Sequence, residues 1–502
     1  MRPVLSLIRP ALVRAVEALR QRPAVSIVIG RSVGFTAAFA IPIVLSRILD
    51  QSEFGTYKQL FLIYATLFGV AQLGIAESLY YFIPRDSGRA GQHIAHAGLT
   101  LAAAGIACLT LLMLFSHAIA GWLANPHISA GLLPLGVFLS VTLLTTPFEI
   151  VLVSRGRYSG AALTYAASDL VRVVCVVVPA LVIGTIAAVM WGFVTFALAR
   201  LVAMLWALRR EVVTGFRPQL SVWRGQLAYA LPFALAVGVE IVQANFHQYV
   251  VATRFDAATF AIFAVGVLQM PLVDIIATSA SSVMMVKISA GGGRDTRASL
   301  ALWHDTIVRL SLVVFPLVAF MLIAARDLIV LVFTEAYAAS VPIFQLSTVA
   351  ILPACLCVDA VFRAHAQTRV LLVLNLVRLA AVALLIGGFL TAFGLRGAVA
   401  ATLCATVLAR VLGLARIARL LNVRLVELLP WRQLTTTAAF AAVAALPAVW
   451  VHRVMPNIGP VSLVIVAAVY GITFMVLSLW NGSLSWFSMT PETQLAKAKR
   501  VL

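Results

Sequence analysis

The chain has 502 residues, of which 62% are hydrophobic and only 11% charged, with a mean hydropathy of +1.03. That composition is too poor in polar residues to clothe several soluble cores, so a soluble enzyme is excluded. A formal charge of +19 would suit nucleic acid in a polar chain, but in an apolar one it belongs first to loops that collect Lys and Arg on the cytoplasmic side. All five cysteines (Cys108, Cys175, Cys355, Cys357, Cys404) fall inside apolar runs, which leaves no loop thiols for a disulfide framework or a metal knuckle.

In chain order, residues 1–23 form a basic cytoplasmic segment carrying Arg2, Arg9, Arg14, Arg20 and Arg22, expected to stay on the chain and lie on the inner membrane surface. Apolar runs long enough to cross roughly 30 Å of hydrocarbon follow at 24–45, 60–83, 94–119, 129–153, 161–184 and 186–208. A basic linker, 209–226, leads to a second set at 227–250, 259–284, 304–325, 341–362, 370–393 and 396–420. The remainder, 421–502, adds spans at 433–451 and 459–480 and a cytoplasmic tail. The runs lack the alternation of barrel strands, so the expected fold is all-α: a polytopic membrane protein of about fourteen helices.

With the N-terminus inside, 25 of the 37 Lys and Arg residues fall in inner segments and six in outer loops. The basicity is therefore read as topology, with both termini cytoplasmic and anionic inner-leaflet lipids as neighbours rather than nucleic acid. The loops are short and carry no GxxxxGK[ST] phosphate loop, so transport would draw on an ion gradient, the substrate gradient or a partner. No cofactor is expected beyond a coupling proton or sodium ion.

An internal repeat divides the chain. Leu45-Ser46-Arg47-Ile48-Leu49-Asp50 followed by Phe54-Gly55-Thr56-Tyr57 is answered by Ala252-Thr253-Arg254-Phe255-Asp256 and Phe260-Ala261-Ile262-Phe263. Asp169-Leu170-Val171-Arg172 is answered by Asn375-Leu376-Val377-Arg378. Two pseudo-symmetric six-helix lobes, 24–208 and 227–420, are expected, with two extra helices and a substrate site between the lobes.

The stretch Gly30-Arg31-Ser32-Val33-Gly34-Phe35, then Ser46-Arg47-Ile48-Leu49 with Glu53-Phe54-Gly55-Thr56-Tyr57, then Gly74-Ile75-Ala76-Glu77 leading to Ile83-Pro84-Arg85, resembles the opening of polysaccharide-transporter-type flippases. These belong to the multidrug/oligosaccharidyl-lipid/polysaccharide exporter superfamily. The resemblance implies a bacterial cytoplasmic-membrane flippase that moves undecaprenyl-pyrophosphate-linked oligosaccharide from the inner to the outer leaflet through a cationic cavity. It also implies work alongside the polysaccharide polymerase and chain-length machinery. The lipid II branch usually carries a basic residue in span eight just before a proline, where this chain has Val265-Gly266-Val267 ahead of Pro271. That departure favours an O-antigen or exopolysaccharide repeat unit over the peptidoglycan precursor.

Charges inside a bilayer cost at least a few kcal/mol, so the in-span groups are candidates for function. Arg309, Glu149, Asp359 and Arg200 sit near inner ends and read most simply as snorkelling side chains. Asp169 and Arg172, three apart, read as an intrahelical pair; Arg378, facing Asn375 in the repeat, is a second-tier candidate. Arg47 with Asp50 and Arg254 with Asp256 read as loop salt bridges, with a gate as the alternative. In span seven, Glu240, Gln243 and His247 recur at helical spacing as one polar stripe. Arg31 on span one would grip phosphate together with Gln243 and His247, the other reading being a structural partner for Glu77 or Glu240. Glu240 and Asp274 compete as the coupling site. The competing functions are an ion-coupled multidrug or small-cation exporter of the same superfamily and a membrane glycosyltransferase or polymerase. The latter is disfavoured by the lack of a long outer loop with a catalytic acid.

Overall fold

The structure, a computed structural model, describes residues 23–215, 219–268, 271–290, 296–455 and 459–482, with the side chains of 23–33, 35, 210–215, 233, 236, 271, 272, 274, 290 and 368 excepted. The basic segment 1–22 and the tail from 483 lie outside the described residues, as does part of the linker 209–226. Every regular element among the described residues is helical, as backbone that must satisfy its own N–H and C=O groups in lipid requires. Among the described residues eleven helical stretches are long and apolar enough to cross a membrane, and a twelfth is made by the bent pair Leu220–Pro232 and Val237–Arg254. They match twelve of the fourteen expected spans. The other two are 24–45, where some side chains are excepted, and 259–284, which also runs over residues 269–270 outside the description; their fully described parts are the shorter apolar helices Thr36–Ile48, Ala257–Gly266 and Ile275–Ser289.

The chain forms two compact units, Met1–Ala261 and Ile262–Leu502. The first holds α1 (Pro23–Ile48), α2 (Gln51–Ala71), α3 (Ile75–Arg85), α4 (Ala90–Leu114), α5 (Ser116–Trp122), α6 (Ile128–Thr145), α7 (Pro147–Ser154), α8 (Tyr158–Ile183), α9 (Ile186–Gly215) and α10 (Leu220–Arg254). The helix that the sequence suggests as the opening of a second lobe, α10, packs with this unit. Helix α11 (Ala257–Gly266) runs across the boundary.

Local sequence sets the helix ends. Asp50 caps α2, its Oδ1 accepting the Glu53 N–H at 2.7 Å, and Asp256 caps α11 through the Thr259 N–H at 3.1 Å. Left-handed backbone at Leu73 and Gly74 breaks the expected span 60–83 into α2 and α3. Close approach then selects small residues. A Cβ on Gly34 of α1 would stand 2.3 Å from Asp169 Oδ2 of α8, and one on Gly55 of α2 would stand 1.8 Å from the Ala257 carbonyl oxygen. Between α2, α6 and α9 sits an aromatic cluster in which Phe61 meets Phe193 at 4.7 Å and Tyr64 meets Phe138 at 4.8 Å between centroids.

The second unit holds α12 (Pro271–Ala290), α13 (Thr296–Ile323), α14 (Ala325–Phe333), α15 (Val341–Val349), α16 (Val358–Ala364), α17 (Thr368–Phe393), α18 (Leu395–Leu421), α19 (Trp431–Val454) and α20 (Pro460–Trp480). Its expected span 341–362 is broken: α15 and α16 are joined by a tight 3₁₀ turn, Leu352–Leu356, and a left-handed Cys357. Fully buried Trp303 of α13 fixes that turn by donating Nε1–H to the Leu356 carbonyl at 2.7 Å. The two extra helices, α19 and α20, pack on each other through Ala444, Ala448, Val466 and Tyr470 and rest against Phe320 of α13.

Candidate functional site

The in-span charges of the first unit are largely paired. Asp169 and Arg172 join one turn apart on α8, as their spacing predicts, and the Arg172 guanidinium lies over the Phe196 ring at 5.0 Å. Glu149 and Arg200 do not snorkel. Arg200 of α9 donates from Nη2 to Glu149 Oε2 of α7 at 2.7 Å, from Nη1 to Ser168 Oγ at 2.9 Å and from Nε to Thr145 Oγ1 at 3.2 Å. The reading as independent snorkelling groups fails because each buried charge has the other as its counter-ion.

In the second unit the charges are also paired, but Asp359 stays exposed, as a snorkelling group would. Arg410 of α18 grips Asp359 of α16 in a bidentate pair at 3.0 and 3.1 Å. Glu149 and Arg200 each stand 210 positions ahead of Asp359 and Arg410, so the repeat reproduces an ion pair as well as a hydropathy pattern. Arg309 is held on its own helix, its Nε donating to both Asp305 oxygens at 3.0 Å.

Helix α10 carries the polar stripe, and the structure shows what it touches. Toward its start, the Gln219 backbone N–H donates to His96 Nε2 at 3.3 Å, Trp223 Nε1–H to Thr100 Oγ1 at 3.0 Å and Gln226 Nε2–H to Ser78 Oγ at 3.0 Å. Toward its end, Asn245 donates to Thr66 Oγ1 at 3.2 Å and Tyr249 Oη–H to the Leu62 carbonyl at 3.3 Å. There the buried Gln59 spans two carbonyls, Leu123 at 3.4 Å and Ala252 at 3.5 Å. Asn125 ties the cluster together by donating to Thr56 Oγ1 at 2.8 Å and Gln59 Oε1 at 2.7 Å. These polar contacts draw α10 onto α2, α3 and α4.

Between the two sets lies Gln243, only 4% exposed, whose Nε2 has no hydrogen-bond partner among the described residues. Glu240, one turn before it, is exposed, and His247, one turn after, is half-buried. The stripe is therefore one buried amide flanked by a carboxylate that the protein leaves uncovered and a half-covered imidazole. Of the other candidates, Arg47, Arg254 and Glu77 are exposed at the surface of their helices and Arg378 is half-buried. The aspartates paired with Arg47 and Arg254 in the sequence reading serve as helix caps, as described above. The side chains of Arg31 and Asp274 lie outside the described residues. Among the described residues no group of His, Cys, Asp and Glu could hold a metal ion.

Sequence reasoning passed over Gln59, Asn125, Asn245, Tyr249 and Gln226. The signal was present in α10, where Gln219, Trp223 and Gln226, and again Asn245 and Tyr249, repeat at three- and four-residue steps around the charged stripe.

The fold recurs in solved structures of low identity. The chain resembles "Lipid II flippase MurJ, inward closed conformation" at TM-score 0.72 and 12% identity, with 92% of this chain and 99% of that one covered. It resembles an inward-facing multidrug resistance MATE family transporter of the MOP superfamily at TM-score 0.62 and 15% identity, over 79% and 98% of the two chains. A MOP superfamily transporter from Pyrococcus furiosus, whose binding pocket is described as having reverse polarity, matches at TM-score 0.56 and 15% identity over 80% and 96%. No curated protein matches the sequence. The sequence itself matches the family described as polysaccharide biosynthesis protein over residues 44–342, more than half of its length, and the chain belongs to that family.

Proposed function

We propose that this protein is a flippase, a transporter rather than an enzyme, that carries an undecaprenyl-pyrophosphate-linked oligosaccharide, an O-antigen or exopolysaccharide repeat unit, across the bacterial cytoplasmic membrane by alternating access. Both termini face the cytoplasm, where the Lys and Arg excess lies. Family membership supports the substrate class. The observation that carries the reading is Gln243: a buried amide nitrogen with no acceptor among the described residues. An unanswered donor suits glycan hydroxyls and phosphate oxygens, whereas an organic cation would call for an unanswered acceptor.

In this reading Arg31 supplies a permanent charge for the pyrophosphate, Gln243 and His247 take neighbouring oxygens, and Glu240 or Asp274 accepts the coupling proton or sodium ion. Arg47 and Arg254 are gate candidates, and Glu77 and Arg378 stay second-tier candidates. The lipid-linked glycan would be handed on to the polymerase and chain-length machinery.

The test is export in a strain lacking the gene. Loss of the protein should trap lipid-linked glycan on the inner leaflet, and Arg31→Ala should do the same while the protein stays folded in the membrane. Arg31→Lys should restore transport only in part, since an ammonium keeps the charge and loses the bidentate fork. Normal export with Arg31→Ala, or cation efflux without any glycan defect in the deletion strain, would overturn the reading.

A further inference from the structure

The two helices outside the repeat, α19 and α20, enclose with α13 a cavity of about 200 Å³. Its wall is apolar on one side, Val308 and Leu312 of α13, and polar on the other, Arg432, Gln433, Thr436 and Thr437 of α19, with Asn481 and Gly482 closing the end of α20. It lies where α19 begins and α20 ends, at a boundary of the membrane that the exposed Trp431 and Trp480 mark.

The polar wall is built of donors and holds no carboxylate. The start of α19 has no acidic residue in its first turn and no side-chain cap, because Pro430 fills the cap position. The Trp431 N–H is taken by the Leu429 carbonyl and that of Leu434 by Pro430, which leaves the N–H groups of Arg432 and Gln433 without an intrahelical acceptor. The hydroxyls of Thr436 and Thr437 turn back onto the carbonyls of Arg432 and Gln433 at 2.7 and 2.8 Å. The guanidinium, the Gln433 amide and the open N–H groups thus remain to meet a ligand.

We propose that this cavity binds the phosphate headgroup of an anionic phospholipid. The phosphate oxygens meet the Arg432 guanidinium and the start of α19, where the helix dipole also favours an anion. The glycerol and the first acyl carbons lie along Val308 and Leu312. The apolar wall favours a lipid over inorganic phosphate, which would leave it unused, and the lack of a carboxylate favours an anionic headgroup over a choline one. The two extra helices then act as a lipid-seated buttress on α13.

The experiment is native mass spectrometry of the full-length protein in detergent, with phosphatidylglycerol, phosphatidylcholine and inorganic phosphate as probes. Phosphatidylglycerol should be retained over phosphatidylcholine, and millimolar inorganic phosphate should not displace it. Arg432→Gln should weaken retention on the order of tenfold, and Gln433→Leu by a smaller factor. Arg432→Lys should recover part of the loss, and thermal unfolding in lipid-free detergent should match the unaltered protein because Arg432 is exposed. Unchanged retention in Arg432→Gln, equal retention of phosphatidylcholine, or displacement by inorganic phosphate would each overturn the assignment. No transport enters the measurement, so its outcome is separate from that of the flippase reading.

Discussion

The two copies of the repeated ion pair should differ sharply in what they contribute, and the structure says by how much. In the first unit the side chains of Arg200 and Glu149 are 14% and 3% exposed, and in the second those of Arg410 and Asp359 are 23% and 52% exposed. Arg200→Met strands the Glu149 carboxylate, whose Oε1 already has no partner. Leaving a charge buried and unpaired costs about 3–5 kcal/mol. The double change Glu149→Leu with Arg200→Met removes both charges and should recover most of that loss, giving a coupling of about 3 kcal/mol, roughly a 150-fold factor in the folding equilibrium. Arg410→Met leaves Asp359 in reach of water and should cost about 0–1 kcal/mol. Reversible unfolding in bicelles, followed by tryptophan fluorescence, reads both cycles. If Arg200→Met lies within about 1 kcal/mol of the unaltered protein, or Arg410→Met costs as much as Arg200→Met, burial does not govern these pairs and the reasoning fails.

Two other expectations rest on packing and on charge. Gly55→Ala should lower the melting temperature clearly, since its Cβ would stand 1.8 Å from a backbone oxygen, whereas Gly238→Ala, with nothing within 4 Å, should be neutral or slightly stabilising; equal melting of the two variants would contradict the close approach of α2 to Ala257. Reporter fusions near Gly121 and Gly184 should read as outside the cytoplasm, and a cytoplasmic signal at either would break the topology drawn from Lys and Arg.

Much of the fold was legible because its rules are short-range. Hydropathy alone places the crossings, and the Asp50 and Asp256 repeat marks two helix starts that the structure realises as caps. What the sequence concealed is pairing across distance. Glu149 and Arg200 lie on different helices, and their positions near span ends make snorkelling the simpler reading until α7, α8 and α9 are brought together. The 210-residue spacing to Asp359 and Arg410 was the available clue, since four charged residues falling on one offset would be an odd outcome for unrelated snorkelling groups. The breaks at Leu73–Gly74 and at Leu352–Leu356 were hidden for another reason: an apolar run reads the same whether it is one helix or two joined by a tight turn. At the candidate site the charged members of the α10 stripe drew attention, while the amides that set its packing, Gln59, Asn125 and Gln226, are uncharged and escaped a search for ionisable groups.

Gln243 separates a functional role from a structural one, because the two predict opposite signs. A buried donor with no partner costs the folded protein about 1–3 kcal/mol, and a leucine of similar shape removes that cost while adding apolar contact. If the amide exists for packing, Gln243→Leu should destabilise; if it is held open for substrate oxygens, the same change should stabilise by about 1 kcal/mol and suppress transport. Gln243→Glu supplies the contrast. It replaces the donor with an acceptor and puts a charge where exposure is only 4%, so it should lose both stability and transport. Measured together, bicelle unfolding and glycan export give a plane in which Gln243→Leu should move toward higher stability and lower export. A leucine variant that unfolds more easily and still exports glycan at the normal rate would show Gln243 to be ordinary packing, and the substrate path would then have to be sought away from α10.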